Sequence, residues 1–494
     1  MPLAAQLIIA LLLGTLITLS LAPFDYWPLA IIALGSLHFL LQTATARQAL
    51  LLAGAFGLGL FYSGAYWVFV SMHEHGNAAP ILAGLMTFGF CSFIGLLLAP
   101  FGYLYARFLR DLTPGNTLGF AAIWLLSEWL KTWLLTGFPW LFAGYSQLDA
   151  PLMSWAPVIG TLGIGFILAY TAAVLSNSFQ QRRPSWHLAA LAVLWLTPLP
   201  LSTVQWTERL SDNPLQAALI QANVPQEIKW HPDYKQSILD HYRQQTEKLQ
   251  DSDIIIWPET AIPEYLHRAD NYLQAIHLQA ELNDQAVILG IPSLEWHGNQ
   301  ARIYNSINGI GHASGLYHKQ KLVPFGEYVP LESILRGLID FFDLPMSSFS
   351  PGPAGQEPIS AHGLKIMPYI CYEVVYPDFV SRTAATADIL LTISNDTWFG
   401  ESIGPIQHMQ MARMRALETG RYMLRGTNNG ITGIIDNRGQ LTAVLPQFSQ
   451  AVLKGEVYAY KGLTPVMQYG TLPAVIFSFL IIAGLLLRRL TTTP

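Results

Sequence analysis

Three ionisable side chains stand at the ends of apolar runs in this 494-residue chain. Glu259 closes the run Asp-Ile-Ile-Ile-Trp-Pro-Glu. Lys319 and Glu327 lie on either side of a turn signal in Tyr-His-Lys-Gln-Lys-Leu-Val-Pro-Phe-Gly-Glu, and Cys371 sits inside Tyr-Ile-Cys-Tyr-Glu. A thiol attacks a carbonyl carbon only as its thiolate, so it needs a base or a neighbouring cation. Glu259 could take the thiol proton, and Lys319 could steady the thiolate and the oxyanion that follows its attack. Each residue also has a plainer reading: Glu259 as a carboxylate in the first turn of a helix, Lys319 as a surface charge, and Cys371 as an inert buried thiol. Cysteine usage favours chemistry. The chain has two cysteines, Cys91 in an apolar stretch and Cys371 in the polar middle, so a disulfide between them is excluded.

Side chains in these roles must be held by rigid elements. The middle of the chain alternates strand-like and helical patterns. Apolar runs at 217–224, 253–259, 286–292, 307–310, 365–373, 387–395, 431–436 and 451–457 read as strands, and 233–249 and 405–420 read as helices. Strands apolar at nearly every position belong to a sheet covered on both faces.

Composition divides the chain into two materials. Hydrophobic residues make up 52% and charged residues 12%, about half the ~25% charge of an ordinary globular protein. Residues 1–205 hold six Lys/Arg and five Asp/Glu, and the segment from 466 onward adds only Arg488 and Arg489. The other charges fall in 206–465, which carries 19 positive and 27 negative side chains. A disordered chain is excluded. A net charge of −5 without a basic run argues against nucleic-acid binding.

Eight apolar stretches are long enough to be read as transmembrane helices: about 3–22, 27–43, 49–71, 80–106, 116–137, 151–177, 186–204 and 470–487. The first lacks a basic leader and reads as a retained helix. Arg47, Arg107, Arg110, Arg182, Arg183, Arg488 and Arg489 follow helices two, four, six and eight, which places both termini in the cytoplasm and 206–465 outside. Three domains are expected: 1–205 with seven helices, 206–465 as the outer domain, and 466–494 with the eighth helix.

Glu128 and Lys131 stand three apart in the fifth stretch, a spacing that suits either a local ion pair or a polar path. Gly54, Gly57 and Gly59 fit helix packing better than a nucleotide loop. Leu331, Ile334, Leu335, Leu338, Ile339 and Phe342 form one apolar stripe. It suits an interfacial lid or a helix packed on the domain core. No metal site or cofactor is implied by ligand spacing.

Four motifs in order resemble the nitrilase superfamily of carbon–nitrogen hydrolases: Trp-Pro-Glu259, the Tyr-x-Lys319 segment running to Glu327, Ile-Cys371-Tyr-Glu373, and Ser-Asn-Asp-x-Trp-Phe-Gly at 394–400. With the apolar stretches around them, the whole chain resembles the bacterial apolipoprotein N-acyltransferase family. The resemblance implies an αββα sandwich with a Glu259, Lys319 and Cys371 triad. It assigns supporting roles to Glu327, Tyr372, Glu373 and Trp230. It also implies a phospholipid acyl donor, typically phosphatidylethanolamine, and a diacylglyceryl apolipoprotein acceptor whose N-terminal α-amine receives the chain. No cofactor enters, and the expected enzyme is a monomer in the bacterial inner membrane with a periplasmic catalytic domain. A membrane-tethered amidase of the same superfamily is the alternative.

Overall fold

The computed structural model describes residues 1–76, 78–112, 115–181, 186–328 and 348–492. The apolar stripe at 331–342, like Arg182 and Arg183, lies outside the described residues. The chain forms two compact units: one comprises 1–73, 79–205 and 469–494, and the other 74–78 and 206–468.

The first unit is helical. Every one of the eight apolar stretches contains helix. Among the described residues, Pro80–Leu109, Met153–Phe179 and Leu472–Thr491 are each long and apolar enough to cross a membrane. The pair Ala46–Gly64 and Val68–His75, bent by 59°, makes a fourth if it counts as one span. The helices Leu3–Leu19, Pro28–Thr43 and Trp186–Leu201 are apolar but shorter. Glycine brings the backbones together: a Cβ on Gly57 would lie 2.0 Å from Gly95 O, and one on Gly59 would lie 1.9 Å from Leu11 O. No larger residue fits there without parting the helices.

Glu128 is fully buried near the end of the Asn116–Leu130 helix. Its carboxylate accepts the Ala143 N–H at 2.8 Å. The Lys131 ammonium lies over the rings of Phe61 and Phe142, 5.2 and 5.1 Å from their centres. No direct Glu128–Lys131 ion pair occurs among the described residues, so the expected local pairing gives way to a separate partner for each charge.

The second unit is a four-layer α/β sandwich. Twelve strands follow one another in hydrogen-bonded order: 441–445, 432–435, 423–427, 389–394, 364–370, 359–361, 313–318, 300–311, 286–297, 254–256, 215–221 and 451–457. The ribbon folds back on itself so that its halves face each other. Leu219, Ile254, Ile256 and Ile288 from one half share a core with Ile366, Ile389, Ile393 and Leu424 from the other. Alternate residues point outward. Ile255, Val287 and Leu289 pack against Ile238, Leu239 and Tyr242 of helix Pro232–Glu247 and against Leu273 and Ile276 of helix Asp270–Leu282. On the opposite outer face, the Tyr369 hydroxyl shares a hydrogen bond with Thr383 Oγ1 of helix Pro377–Ala384 at 2.9 Å, and Arg425 reaches His408 of helix Gly404–Thr419. Both faces of the parallel strands are therefore covered, which is why their sequences read as unbroken apolar runs.

The expected strands are present, and strands 313–318, 359–361, 423–427 and 441–445 join them. Helices 270–282 and 377–384 also carried no clear signal. Short strands and a charge inside an apolar run, such as Arg425, weaken periodicity where the structure most depends on pairing.

Candidate active site

The site residues leave the C-terminal ends of four strands, of which Leu364–Ile370 and Ile389–Ser394 are neighbours in the sheet. Glu259 follows Ile254–Ile256, Lys319 follows Ala313–His318, Cys371 follows Leu364–Ile370, and Asn395 follows Ile389–Ser394. Gly290 lets the neighbouring strand pass close to the glutamate turn, since a Cβ there would lie 2.4 Å from Pro258 O. Three non-glycine residues with left-handed backbone cluster here: Thr260 (φ 46), Phe325 (φ 63) and Cys371 (φ 51). Each costs of order 1–3 kcal/mol and persists only where its surroundings over-determine it. The cysteine opens a short 3-10 turn, Cys371–Val375, and this tight exit turns its side chain out of the strand direction.

Lys319 is 1% exposed and lies between two carboxylates. Its Nζ donates to Glu327 Oε1 at 2.8 Å and stands 3.7 Å from Glu259 Oε1. Asn305 ties the same two acids together, donating through Nδ2 to Glu259 Oε1 at 2.7 Å and to Glu327 Oε1 at 3.0 Å. The second glutamate oxygens are also held: Glu259 Oε2 accepts the Asn395 N–H at 2.8 Å, and Glu327 Oε2 accepts the Val323 N–H at 2.9 Å. Buried Lys229 donates to the Glu259 carbonyl at 3.1 Å.

These contacts set the ionisation. Burial opposes the Lys319 charge, but Glu327, Glu259 and Cys371 outweigh it and hold the ammonium well above the ordinary lysine range. Burial, with Glu327, raises the Glu259 carboxyl against the pull of Lys319, Asn305 and Lys229. Burial and the Glu259 charge push the Cys371 thiol far up, and Lys319 only partly compensates. Its surroundings thus favour the thiol form of Cys371, and any attack by its sulfur would need a base.

Glu373 is fully buried and joins the lysine loop to the cysteine turn. It accepts Tyr317 Oη at 3.0 Å, the Gln320 N–H at 2.6 Å, the Lys321 N–H at 3.2 Å and the Ile370 N–H at 2.7 Å. Burial still pushes its carboxyl up to about 7. Tyr372 is buried edge-on against Tyr376, ring centres 5.3 Å apart. Trp230 is 39% exposed and follows the short helix that supplies Lys229. The contact to the glutamate turn therefore comes from its neighbour.

Behind the cysteine lies a second buried group. His408 Nε2 donates to the Cys371 carbonyl at 3.1 Å, and His408 Nδ1 faces Asp396 Oδ1 at 3.2 Å. Arg425 donates to Asp396 Oδ2 at 2.7 Å and to His408 Nδ1 at 3.1 Å, and Ser394 Oγ donates to Asp396 Oδ1 at 2.5 Å. Sequence reasoning singled out the segment 394–400 but not these roles. Arg425 inside an apolar strand was the available signal. Asn305 and Lys229 had none.

Two stacked sheets carrying an acid, a lysine and a thiol on their strand ends define a carbon–nitrogen hydrolase domain, and the profile described as "Carbon-nitrogen hydrolase" matches residues 216–460. The profile described as "Apolipoprotein N-acyltransferase N-terminal domain" matches residues 13–174. The chain is 47% identical to the apolipoprotein N-acyltransferase of Pseudomonas putida, over 98% of this chain and 97% of that one. It is 46% identical to that of Pseudomonas aeruginosa, covering 98% and 96%, and 40% identical to that of Vibrio vulnificus, covering 96% of each. The chain belongs to the apolipoprotein N-acyltransferase family, a family of acyltransferases.

Proposed function

We propose that Glu259, Lys319 and Cys371 are the catalytic residues of a two-step N-acyl transfer between membrane lipids. The observation that carries this reading is the placement of Lys319 between Glu259 and Glu327 while its charge also acts on a strained strand-end thiol. In the first step Glu259 takes the proton from Cys371 Sγ as sulfur attacks the ester carbonyl of a phospholipid such as phosphatidylethanolamine. Lys319 stabilises the oxyanion. Collapse breaks the ester C–O bond, Glu259 returns the proton to the leaving alkoxide, and a lysophospholipid departs from a Cys371 thioester. In the second step the α-amine of an S-diacylglyceryl cysteine attacks that thioester. Glu259 accepts the amine proton and hands it to the departing Cys371 thiolate. Glu327 and Asn305 hold Lys319 and Glu259 in place, Glu373 and Tyr372 shape the cysteine turn, and Trp230 contacts substrate from the exposed rim.

Both substrates keep their acyl chains in a bilayer, which gives the helical unit its purpose. The same reading has eight membrane spans, cytoplasmic termini, a periplasmic catalytic domain in the inner membrane, and a monomeric enzyme.

Intact-protein mass spectrometry after incubation with phospholipid tests the covalent step. A fatty-acyl adduct is expected that hydroxylamine removes and Cys371→Ala lacks. An active preparation that never carries the adduct overturns the thioester route. Release of free fatty acid, with no acylation of an amine-bearing lipopeptide, would favour the amidase-like alternative. Reporter fusions at the C-terminus test topology, and a C-terminus found in the periplasm sinks the eight-span arrangement.

A further inference from the structure

We propose that Asp284, His312 and His362 form a binding site for one divalent late transition metal, Zn²⁺ in particular, distinct from the acyl-transfer site. The three residues come from separate tight turns. Asp284 follows helix Asp270–Leu282, His312 links strands Gln300–Gly311 and Ala313–His318, and His362 links Ile359–Ala361 to Leu364–Ile370. One ligand atom from each lies within 4.8 Å of the other two. Among the described residues this is the one group of three potential ligands so arranged.

Several independent features pre-organise it. The turns are tied by backbone bonds: the His312 N–H donates to Gln285 O at 2.8 Å, and the His362 N–H donates to His312 O at 3.2 Å. His362 Nε2 donates to the Asp253 carbonyl at 3.0 Å. That bond fixes the tautomer and leaves Nδ1 with a lone pair, as when a metal-bound histidine gives its other N–H to a backbone carbonyl. His312 Nε2 already faces Asp284 Oδ1 at 3.3 Å. The two imidazole rings are nearly parallel, 5° apart, with centres separated by 5.4 Å. Two imidazoles on one tetrahedral zinc, each at ~2.0–2.1 Å, put their ring centres about 5 Å apart. Closing the remaining distance needs movement of the exposed Asp284 side chain, and water would complete the shell. Two imidazoles and one carboxylate suit zinc, nickel or copper far better than calcium or magnesium.

The site lies at the end of the sheets opposite the reaction. His362 precedes the strand that ends at Cys371, and Asp253 precedes the strand that leads to Glu259. Seven strand residues separate the two ends of the former by about 20 Å. His362 belongs to one half of the sandwich and Asp284 and His312 to the other. A bound ion would therefore clip the two sheets together without touching the chemistry.

The test is calorimetric titration of untagged full-length protein in detergent with Zn²⁺ alone. One equivalent is expected to bind, and His312→Ala and His362→Ala should each weaken it by more than about tenfold. His312 is exposed and His362 half-buried, so the thermal midpoint without metal checks that each variant folds. Saturating Zn²⁺ should raise that midpoint by a few degrees in the wild type and not in the double variant. Co²⁺ bound at the same site should show the visible absorption of a tetrahedral centre. Acyl-enzyme formation should be equal with and without metal. No binding by the wild type, or equal binding by the double variant, overturns the proposal.

Discussion

Among the described residues, glutamate and lysine are buried near each other in both units, and the two pairs solve the problem of buried charge differently. Glu128 and Lys131 are three residues apart on one helix, yet the carboxylate takes a backbone N–H and the ammonium lies over two aromatic faces. Glu259 and Lys319 are far apart in sequence, yet they meet at 3.7 Å and share Asn305 and Glu327. In the first arrangement the two charges share no hydrogen bond, and each leans on a group that cannot carry a proton, which suits a fixed structural element. The second joins its charges through a hydrogen-bond network, so that moving one proton changes the energy of every member. Spacing on a helix permits an ion pair but does not create one. A pair built from two strand ends costs more of the fold to assemble and can do more.

Four experiments break or sharpen that contrast. The largest effect is expected in the coupled pair itself. Glu259→Gln should slow thioester formation by at least about 10³-fold, with folding retained, because the buried thiol stays protonated without its base. Glu128→Gln should leave the same single-turnover rate within about threefold, because the Glu128 carboxylate holds the Ala143 N–H and shares no partner with Glu259 or Lys319. Equal loss in both variants would erase the distinction. Next, Lys319→Met should cost about 10²–10³-fold in acyl-enzyme formation through the lost oxyanion partner. A smaller loss than that of Asn305→Ala would move the oxyanion role elsewhere.

The pH profile comes third. Glu259 acts as a base only when ionised, and burial raises its carboxyl above the ordinary value of 4.5. Acylation should therefore fall on its acid side at a pH above the usual carboxyl range, as pH drops through that raised value. Asn305→Ala removes a donor that favours the ionised form. It should move the acid limb to higher pH and slow the reaction about 10–100-fold. An unmoved limb would mean that Asn305 only packs. The smallest effect is expected from Glu128→Ala, which leaves the Ala143 N–H without its acceptor. A loss of about 1–3 kcal/mol is expected, seen as a thermal midpoint lower by a few degrees in detergent with acylation chemistry intact.

Much of the candidate site was visible in the sequence because Glu259 and Cys371 follow strongly apolar strands, whereas Lys319 follows Ala313–His318, a half-exposed strand with no clear pattern. Glu259, Lys319, Glu327, Cys371 and Glu373 all occupy one buried network or its edge. Lys229, which touches the glutamate turn, gave no sequence signal of its own beside Trp230. Asn305 was hidden because amides in strands carry no pattern, and its importance comes from pointing at two acids at once. His408, Asp396 and Arg425 were hidden for a related reason. They lie on a helix, a turn and a strand that converge only behind Cys371.

The sequence by itself determined that this chain is two materials, that its middle is a doubly covered sheet, and which residue types could supply a nucleophile, a base and a cation. Those properties follow from local periodicity and composition, which act along a few turns or one strand. Only the tertiary structure decided who meets whom. It joined Glu259 to Glu327 through Asn305 with Lys319 between them, kept Glu128 and Lys131 from a direct ion pair, set Cys371 in a left-handed conformation, and gathered Asp284, His312 and His362 from three turns. Strand order and the stacking of two sheets make those contacts. They arise from crossovers between distant segments, and no short-range pattern encodes them.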